Sequence, residues 1–585
     1  MKNSLSFFLS IMLIFSSCSK RNNPNINNED INEILNFIAS DSLKGRLPGT
    51  PEDSILLNFI AKEFKSVGLK APQDGFLQAF DLITGMEVGE ETYLKFDDKT
   101  YILKEEFYPS GYSSKGTFST EAVFCGYGFT IEGEKVSRND YENVDVDGKW
   151  AVILRGAPNE NPEIKKFSKD RDKVMLAADK GALGVLLVSG ENYNEQDALN
   201  LKLDRQPAVN IPVIQVKRNI IEDIFLNELN LSTIEKELES SVLKNEIVSN
   251  QKLSAQLDLN KLNTPTANVI GMLLGTDPEK RNEWIVIGAH HDHLGMGGPG
   301  NSSRMPDTIA VHNGADDNAS GVSAVIELAS YFSSKNITSS RSLLFVTFGA
   351  EEKGLIGSKY FVNNCPVPTE DILSMVNIDM IGRMSPDSVL QVGGVGTSAE
   401  AKDLLEDINK SYNLKLTLSE AGYGPSDHAS FYTKDIPVFF FSTGAHQDYH
   451  TPFDDIDSLN IDGLRISVDF ISELIATLDK VDSLAYQEAG PKASSGKGYT
   501  GSVTLGIMPD VSGADTTGLK VLAVTKGKPG YNSGLQKGDI IVAFDGNKVG
   551  NIYDYMYRLK TYKTGNSAIV SVLRGKDKLD LLVHF

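Results

Sequence analysis

At 585 residues the chain is too long for one hydrophobic core, so three or more domains are expected. Its 41% hydrophobic and 23% charged residues are those of ordinary soluble globular material. A formal net charge of -21 argues against nucleic acid and against an anionic membrane surface as partners.

The first residues differ from the rest. Lys2 precedes an apolar run, Leu5 to Phe15, that is too short to span a bilayer, and Ser16-Ser17-Cys18 follows. This ending resembles the lipobox of bacterial lipoproteins. The resemblance implies a signal peptide over 1–17 and a lipidated Cys18 at the mature N-terminus. It also implies a place in the cell envelope, anchored to a bacterial membrane at its periplasmic or outer-membrane face. Residues 18–30, polar and rich in Asn, read as a tether. Cys125 and Cys365 then remain, too few for a disulfide framework.

Two amphipathic helices are predicted within residues 30–72, with Ile31, Ile34, Leu35 and Ile38 on one face and Leu56, Phe59, Ile60 and Phe64 on the other helix. Between them Leu43-Lys44-Gly45-Arg46-Leu47-Pro48-Gly49-Thr50 has turn chemistry. Residues 90–112 alternate like strands, and 31–112 are grouped with the main domain. From about 113 the chain turns to short apolar β runs, Glu121 to Tyr127, Trp150 to Leu154 and Gly184 to Val188, with a helical segment at Lys173 to Lys180. This pattern resembles the protease-associated (PA) domain, and 113–262 is read as a PA-like insertion with its return segment.

Over 263–485 strands and helices alternate: strands at Trp284 to Ala289, Ser342 to Phe348, Met375 to Ile378 and Phe439 to Phe441, helices at Val322 to Phe332 and Leu464 to Val481. Such alternation predicts an α/β sheet sandwiched by helices. Residues 486–498 have linker composition. In 499–585, Leu505-Gly506-Ile507-Met508 and Ser533-Gly534-Leu535-Gln536-Lys537-Gly538-Asp539 resemble the peptide-binding loop and the Gly-Leu-x-x-Gly-Asp turn of a PDZ domain. That resemblance implies a peptide or C-terminus as ligand, paired to a sheet edge.

Chemistry-bearing residues gather where the predicted strands of 263–485 end. His290-His291-Asp292-His293 closes one strand, Gly349-Ala350-Glu351-Glu352 another, and Asn377-Ile378-Asp379 a third. Asn313-Gly314-Ala315-Asp316-Asp317-Asn318-Ala319-Ser320-Gly321 opens a helix, and Asp448-Tyr449-His450 follows the last strand. Ligands of open α/β sheets sit at the carboxyl ends of strands. Seven of the eight histidines lie between 290 and 450.

In this order, His290-x-Asp292, Asp317 before Asn-Ala-Ser-Gly, Glu351-Glu352, Asp379 before Met-Ile-Gly, and Tyr449-His450 resemble the co-catalytic zinc exopeptidases, which include bacterial aminopeptidases and glutamate carboxypeptidases. The resemblance implies two Zn²⁺ per chain. His290 and Asp379 would hold one, Glu352 and His450 the other, and Asp317, followed by a cis peptide, would bridge them. Three carboxylates and a bridging hydroxide would balance the +4 of the ions, whose separation of about 3.5–4 Å suits activation of one water. Glu351 would be the general base and Tyr449 a candidate for stabilising the oxyanion. Asp292 would hold the second ring nitrogen of His290. Ser426-Asp427-His428 resembles another signature of the family and is expected to support the site. His291, His293, His312 and His446 receive no role beyond structure.

The reading is an exported di-zinc exopeptidase that removes N-terminal residues from peptides. The alternatives are a carboxypeptidase acting on short acidic peptides and a non-catalytic peptidase-fold binding protein. Glutaminyl cyclases share the fold with one zinc, and the complete bridging set argues against them.

Overall fold

The structure, a computed structural model, describes residues 25–490 and 503–585, apart from 73, 133–135, 159–161, 204–207, 227–228, 300, 335–336 and 510–516. The leader, Cys18, most of the tether and the linker beyond Gly490 lie outside the described residues. No described helix is long and apolar enough to cross a membrane. The chain divides into two compact units, one from residues up to 82 together with 265–492, the other from 83–264 together with 493–585.

In the first unit, helix α1 (Asn28–Ile38) begins inside the expected tether, because the Asn27 side chain accepts from Asp30 N at 3.0 Å and caps it. Helix α2 (Pro51–Ser66) starts with proline in its first turn behind a Thr50 cap, and both helices carry acidic residues in their first turns. The sheet strands are β1 (Leu77–Val88), β2 (Leu259–Leu273), β3 (Trp284–His290), β4 (Ser342–Phe348), β5 (Ile372–Ile378), β6 (Val389–Gly393), β7 (Lys415–Ser419) and β8 (Val438–Ser442). They lie in the order β1-β2-β4-β3-β5-β8-β6-β7. The centre, β4-β3-β5-β8, is parallel, while β2 joins β4 and β6 joins β8 antiparallel. Every residue of β3 and β4 is buried, as expected for parallel strands covered on both faces.

Alternation along the strands builds two apolar layers. Ile285, Ile287 and Ala289 pack with α1, α2, helix α3 (Gly321–Phe332) and helix α4 (Ile461–Leu478), whereas Val286, Leu344 and Met375 pack with Phe361, Phe431 and Tyr432 on the other face. The sandwich expected from the alternating pattern is present. Tyr486 to Gly490, read as linker, still belongs to this unit: Gly422 N donates to Ala489 O at 2.9 Å and the Tyr432 hydroxyl to Gly490 O at 2.9 Å.

Residues 83–112, grouped with the main domain from sequence, fall in the second unit. The reason lies in their partners. Tyr93–Phe96 pairs antiparallel with Leu253–Leu257, and Phe107–Pro109 with Val213–Val216. The latter edges a five-stranded sheet whose other members, Ala122–Phe124, Trp150–Leu154, Gly184–Val188 and Val213–Val216, run parallel. After the linker, Ile507–Pro509, Leu519–Val524, Ile540–Phe544, Ser567–Arg574 and Asp577–His584 form an antiparallel sheet with the helix Ile552–Lys560. Its Gly-Asp turn is locked by Asp539, which accepts from Gln536 N and from Arg574 Nε at 2.7 Å and Nη2 at 2.8 Å.

Candidate metal centre and catalytic residues

Parallel strands bring the predicted residues to one rim. His290 is the last residue of β3 and lies level with Phe348 at the end of β4, three residues before Glu351. Asp379 directly follows β5, and His450 lies in the loop after β8. Asp317 sits in the turn 315–320 that feeds α3, and the Asp317–Asn318 peptide is cis. Ala350, Met380 and His450 itself adopt φ of 57°, 62° and 59°, a left-handed conformation costly for residues with a Cβ.

The side chains converge on Asp317. His290 Nε2 lies 3.2 Å from Asp317 Oδ1 and 3.4 Å from Asp379 Oδ1. His450 Nε2 lies 3.1 Å from Asp317 Oδ2 and 3.1 Å from Glu352 Oε1. Donor atoms of His290, Asp317 and Asp379 lie within 4.8 Å of one another, as do those of His293, Asp317 and Glu352. Asp379 Oδ1 and Glu352 Oε1 are buried without a hydrogen-bond partner. Carboxylate oxygens without hydrogen bonds beside imidazole nitrogens are ligands that zinc accepts, so the residues fit the metal.

The charges pull strongly on one another. Burial presses the His290 imidazole toward neutrality, but Asp379, Glu351 and Asp317 raise its pKa well above the usual value. Burial also opposes ionisation of Asp317, yet His290 and His450 hold its carboxyl well below the usual range. Burial and Asp317 push Glu352 up, and His293 and His450 overcome them to set it at about 2. Glu351 goes the other way: burial, then Asp427, Glu352 and Asp379, raise it well above an ordinary glutamate, against the pull of His290. Tyr449 stacks on the His450 ring at 3.8 Å between centroids, and burial with the nearby carboxylates raises its hydroxyl far above the usual value.

Asp292 lies between His290 and the Glu351–Glu352 turn. Its Oδ1 accepts from Glu351 N at 2.8 Å and its Oδ2 from Glu352 N at 3.3 Å, while His290 Nδ1 faces the Asp292 backbone carbonyl at 3.2 Å and the carboxylate at 3.9 Å. The strand ends at His290, so the two-residue alternation that would aim both side chains alike stops before Asp292. Asp316 is held away from the cluster: its Oδ1 accepts from Gly382 N and its Oδ2 lies 3.3 Å from His446 Nε2. Asp454 accepts from the amides of both Asp316 and Asp317 and is held by Arg383 at 3.3 Å. His291 meets Thr347 Oγ1 at 3.1 Å, His312 meets Ser303 Oγ at 2.8 Å, and His428 stacks on Phe440. Asp427 is buried, and burial pushes its carboxyl up to about 6.

Two residues escaped the sequence reading. His293, left without a role, is fully buried beside Glu352. Arg46, in the first turn, is also fully buried and donates to the carbonyls of Ile38, His291, Asn313 and Gly314. It thereby ties both ligand-bearing loops, 290–293 and 313–317, to the N-terminal helices. Gly45 permits this contact, since at φ 70° a Cβ would stand 2.4 Å from Gly295 O and 2.5 Å from His312 O. An arginine amid glycines and proline was the available signal, although its partners are some 245 residues away or more for three of the four bonds.

Residues 268–475 match the profile of Peptidase family M28, 121–224 that of the PA domain and 503–584 that of the PDZ domain. The chain thus contains a segment that matches peptidase family M28, the co-catalytic zinc exopeptidases, together with segments that match a PA domain and a PDZ domain. It is 27% identical over 287 residues to leupeptin-inactivating enzyme 1 of Streptomyces exfoliatus, a match covering 45% of this chain and 58% of that one. It is 27% identical over 220 residues to a probable leucine aminopeptidase of Arthroderma benhamiae, covering 35% and 56%. The chain thus spans little more than half the length of these curated relatives. Among solved structures, an aminopeptidase from Aneurinibacillus sp. strain AM-1 aligns with 80% of this chain and 97% of its own at 23% identity and a TM-score of 0.43.

Proposed function

We propose that the chain is an exported zinc aminopeptidase that hydrolyses the first peptide bond of peptides with a free amino terminus, using two zinc ions. The observation that carries the reading is the pair of donor groups that share Asp317: His290 and Asp379 on one side, Glu352 and His450 on the other. His290 and Asp379 would hold one zinc and Glu352 and His450 the second, with Asp317 between. Bound zinc lowers the pKa of water and polarises a carbonyl oxygen.

The remaining work belongs to the chain. Glu351 accepts the proton of the attacking water and returns it to the amine nitrogen that leaves. Asp292, by binding the amides of Glu351 and Glu352, fixes both carboxylates relative to β3. Tyr449, a protonated hydroxyl next to His450, donates to the oxygen that becomes negative. Arg46 and Arg383 are committed, the first to carbonyls and the second to Asp448 and Asp454, which weighs against a site for a substrate carboxylate.

Metal analysis of the leaderless protein, combined with hydrolysis of free and N-acetylated peptides, tests this. Two zincs per chain and cleavage of the free peptides alone support the aminopeptidase. Release of C-terminal residues from the acetylated peptides overturns it in favour of a carboxypeptidase. Export through a lipidated Cys18 is a separate part of the proposal, checked by labelling with radioactive palmitate in wild type and Cys18→Ser. The PDZ domain, on this reading, takes an extended peptide or a C-terminus.

A further inference from the structure

We infer that His293 is a sixth protein ligand of the metal centre, joining Glu352, His450 and the bridging Asp317 at the second zinc. The inference rests on the two-zinc reading above and goes beyond the five ligands it requires. His293 Nδ1 lies 2.9 Å from Glu352 Oε1 and 3.8 Å from Asp317 Oδ2. At 2.9 Å an imidazole and a carboxylate normally share a hydrogen bond. Here both Nδ1 and Glu352 Oε1 are buried and lack one, so the contact is close but not aligned for a proton between them. Buried ligand atoms that lie within 4.8 Å of one another without a hydrogen bond between them suit a common cation. His450 Nε2 approaches the same two carboxylate oxygens, and the His293 and His450 rings meet edge to face at 5.7 Å.

The ring is also held there. His293 N donates to Arg46 O at 3.2 Å, which fixes the backbone to the N-terminal turn. Gly314, at φ 52°, leaves room for the imidazole, because a Cβ would stand 2.5 Å from His293 Cδ2. A fully buried imidazole with no hydrogen bond at either nitrogen is costly unless something occupies it. Ligation at Nδ1 meets that cost. The two metal positions then differ: the first has one imidazole and the second has two, so the second binds zinc more tightly and fills first.

The test is a zinc titration of the metal-free, full-length chain against a competing chelator, for wild type, His293→Ala, His293→Gln and His293→Asp. Far-UV circular dichroism and the unfolding midpoint without metal serve as the check of folding. Wild type is expected to take up two zincs with distinct affinities. His293→Ala and His293→Gln should weaken one of them by ~10–100-fold or more, the loss seen even when a residue merely supports a ligand. His293→Asp, which restores a donor, should recover part of it. Cobalt substitution gives a second readout, with the visible spectrum of one ion altered in His293→Gln. If His293→Ala destabilises the metal-free chain, the glutamine variant decides. Two zincs held by His293→Gln with wild-type affinity and an unchanged cobalt spectrum overturn the inference while leaving the two-zinc site standing. A wild-type chain that holds fewer than two zincs removes that site and this inference together.

Discussion

Two largely parallel sheets in this molecule end in polar rims, and among the described residues the buried polar atoms of the two rims are satisfied to different degrees. In the insertion, Arg155 after the strand Trp150–Leu154 binds Asp170 at 2.8 Å, and Lys173 donates to Leu154 O and Gly156 O at 2.8 and 2.5 Å. Arg218 closes the neighbouring strand end by donating to Ser189 O and Gly190 O. Cations there meet carbonyls and carboxylates, and the rim is scaffold. At the rim of β3, β4, β5 and β8, by contrast, Asp379 Oδ1, Glu352 Oε1 and both ring nitrogens of His293 are buried without hydrogen bonds. Charge alone does not separate a site from a support; buried polar atoms that face one another without pairing do.

The largest effect should come from the shared residue. Asp317→Asn is expected to lower zinc content from two toward zero with loss of measurable peptidase activity, by metal analysis and peptide assay. Glu351→Gln comes next, with kcat reduced by ~10²–10⁴-fold, the usual worth of a general base, and zinc content unchanged. Arg46→Met leaves four carbonyls without their donor, so urea unfolding of the metal-free protein should show a loss of about 3 kcal/mol or more. The smallest effect belongs to the satisfied rim. Burial, partly offset by Asp170 and Asp140, lowers the Lys173 pKa to about 7, whereas in the unfolded chain lysine keeps a value of about 10.4. Between those values the unfolded state binds more protons, so the penalty is complete below pH 7 and fades as pH rises. Thermal unfolding followed from pH 7 to 9 should therefore show rising stability in wild type and a flatter profile in Lys173→Met, with peptidase activity untouched. An equal loss of activity in Lys173→Met and Glu351→Gln would erase the contrast between the rims.

The central strands were legible because each is a largely apolar run with a glycine or a polar residue at or just beyond its end, as in Trp284 to His290 and Ser342 to Phe348. Asp317 and the four positions gathered around it were legible by resemblance, since each stands in a short motif that follows a strand or opens a helix. Arg46 was not, because carbonyls it binds lie far along the chain and a backbone acceptor leaves no mark in a sequence. His293 was obscured by its neighbours: three histidines within four positions share no period, and which of them turns inward depends on where β3 stops. Residues 83–112 are hard to assign from sequence for a related reason. Alternating extended segments fit either unit, and strand pairing with 213–216 and 253–257 decides.

Arg46 also has a consequence in time. The segment that holds the loops at 290–293 and 313–317 is made first, and residues 83–264 of the other unit are made between it and them. At ~5–20 residues per second that stretch takes on the order of ten to forty seconds to synthesise. During that interval the N-terminal helices have an apolar face and an arginine turn, but no partner has yet been translated. The site is thus assembled late, from pieces made apart, and a chain that stops before His450 lacks part of it.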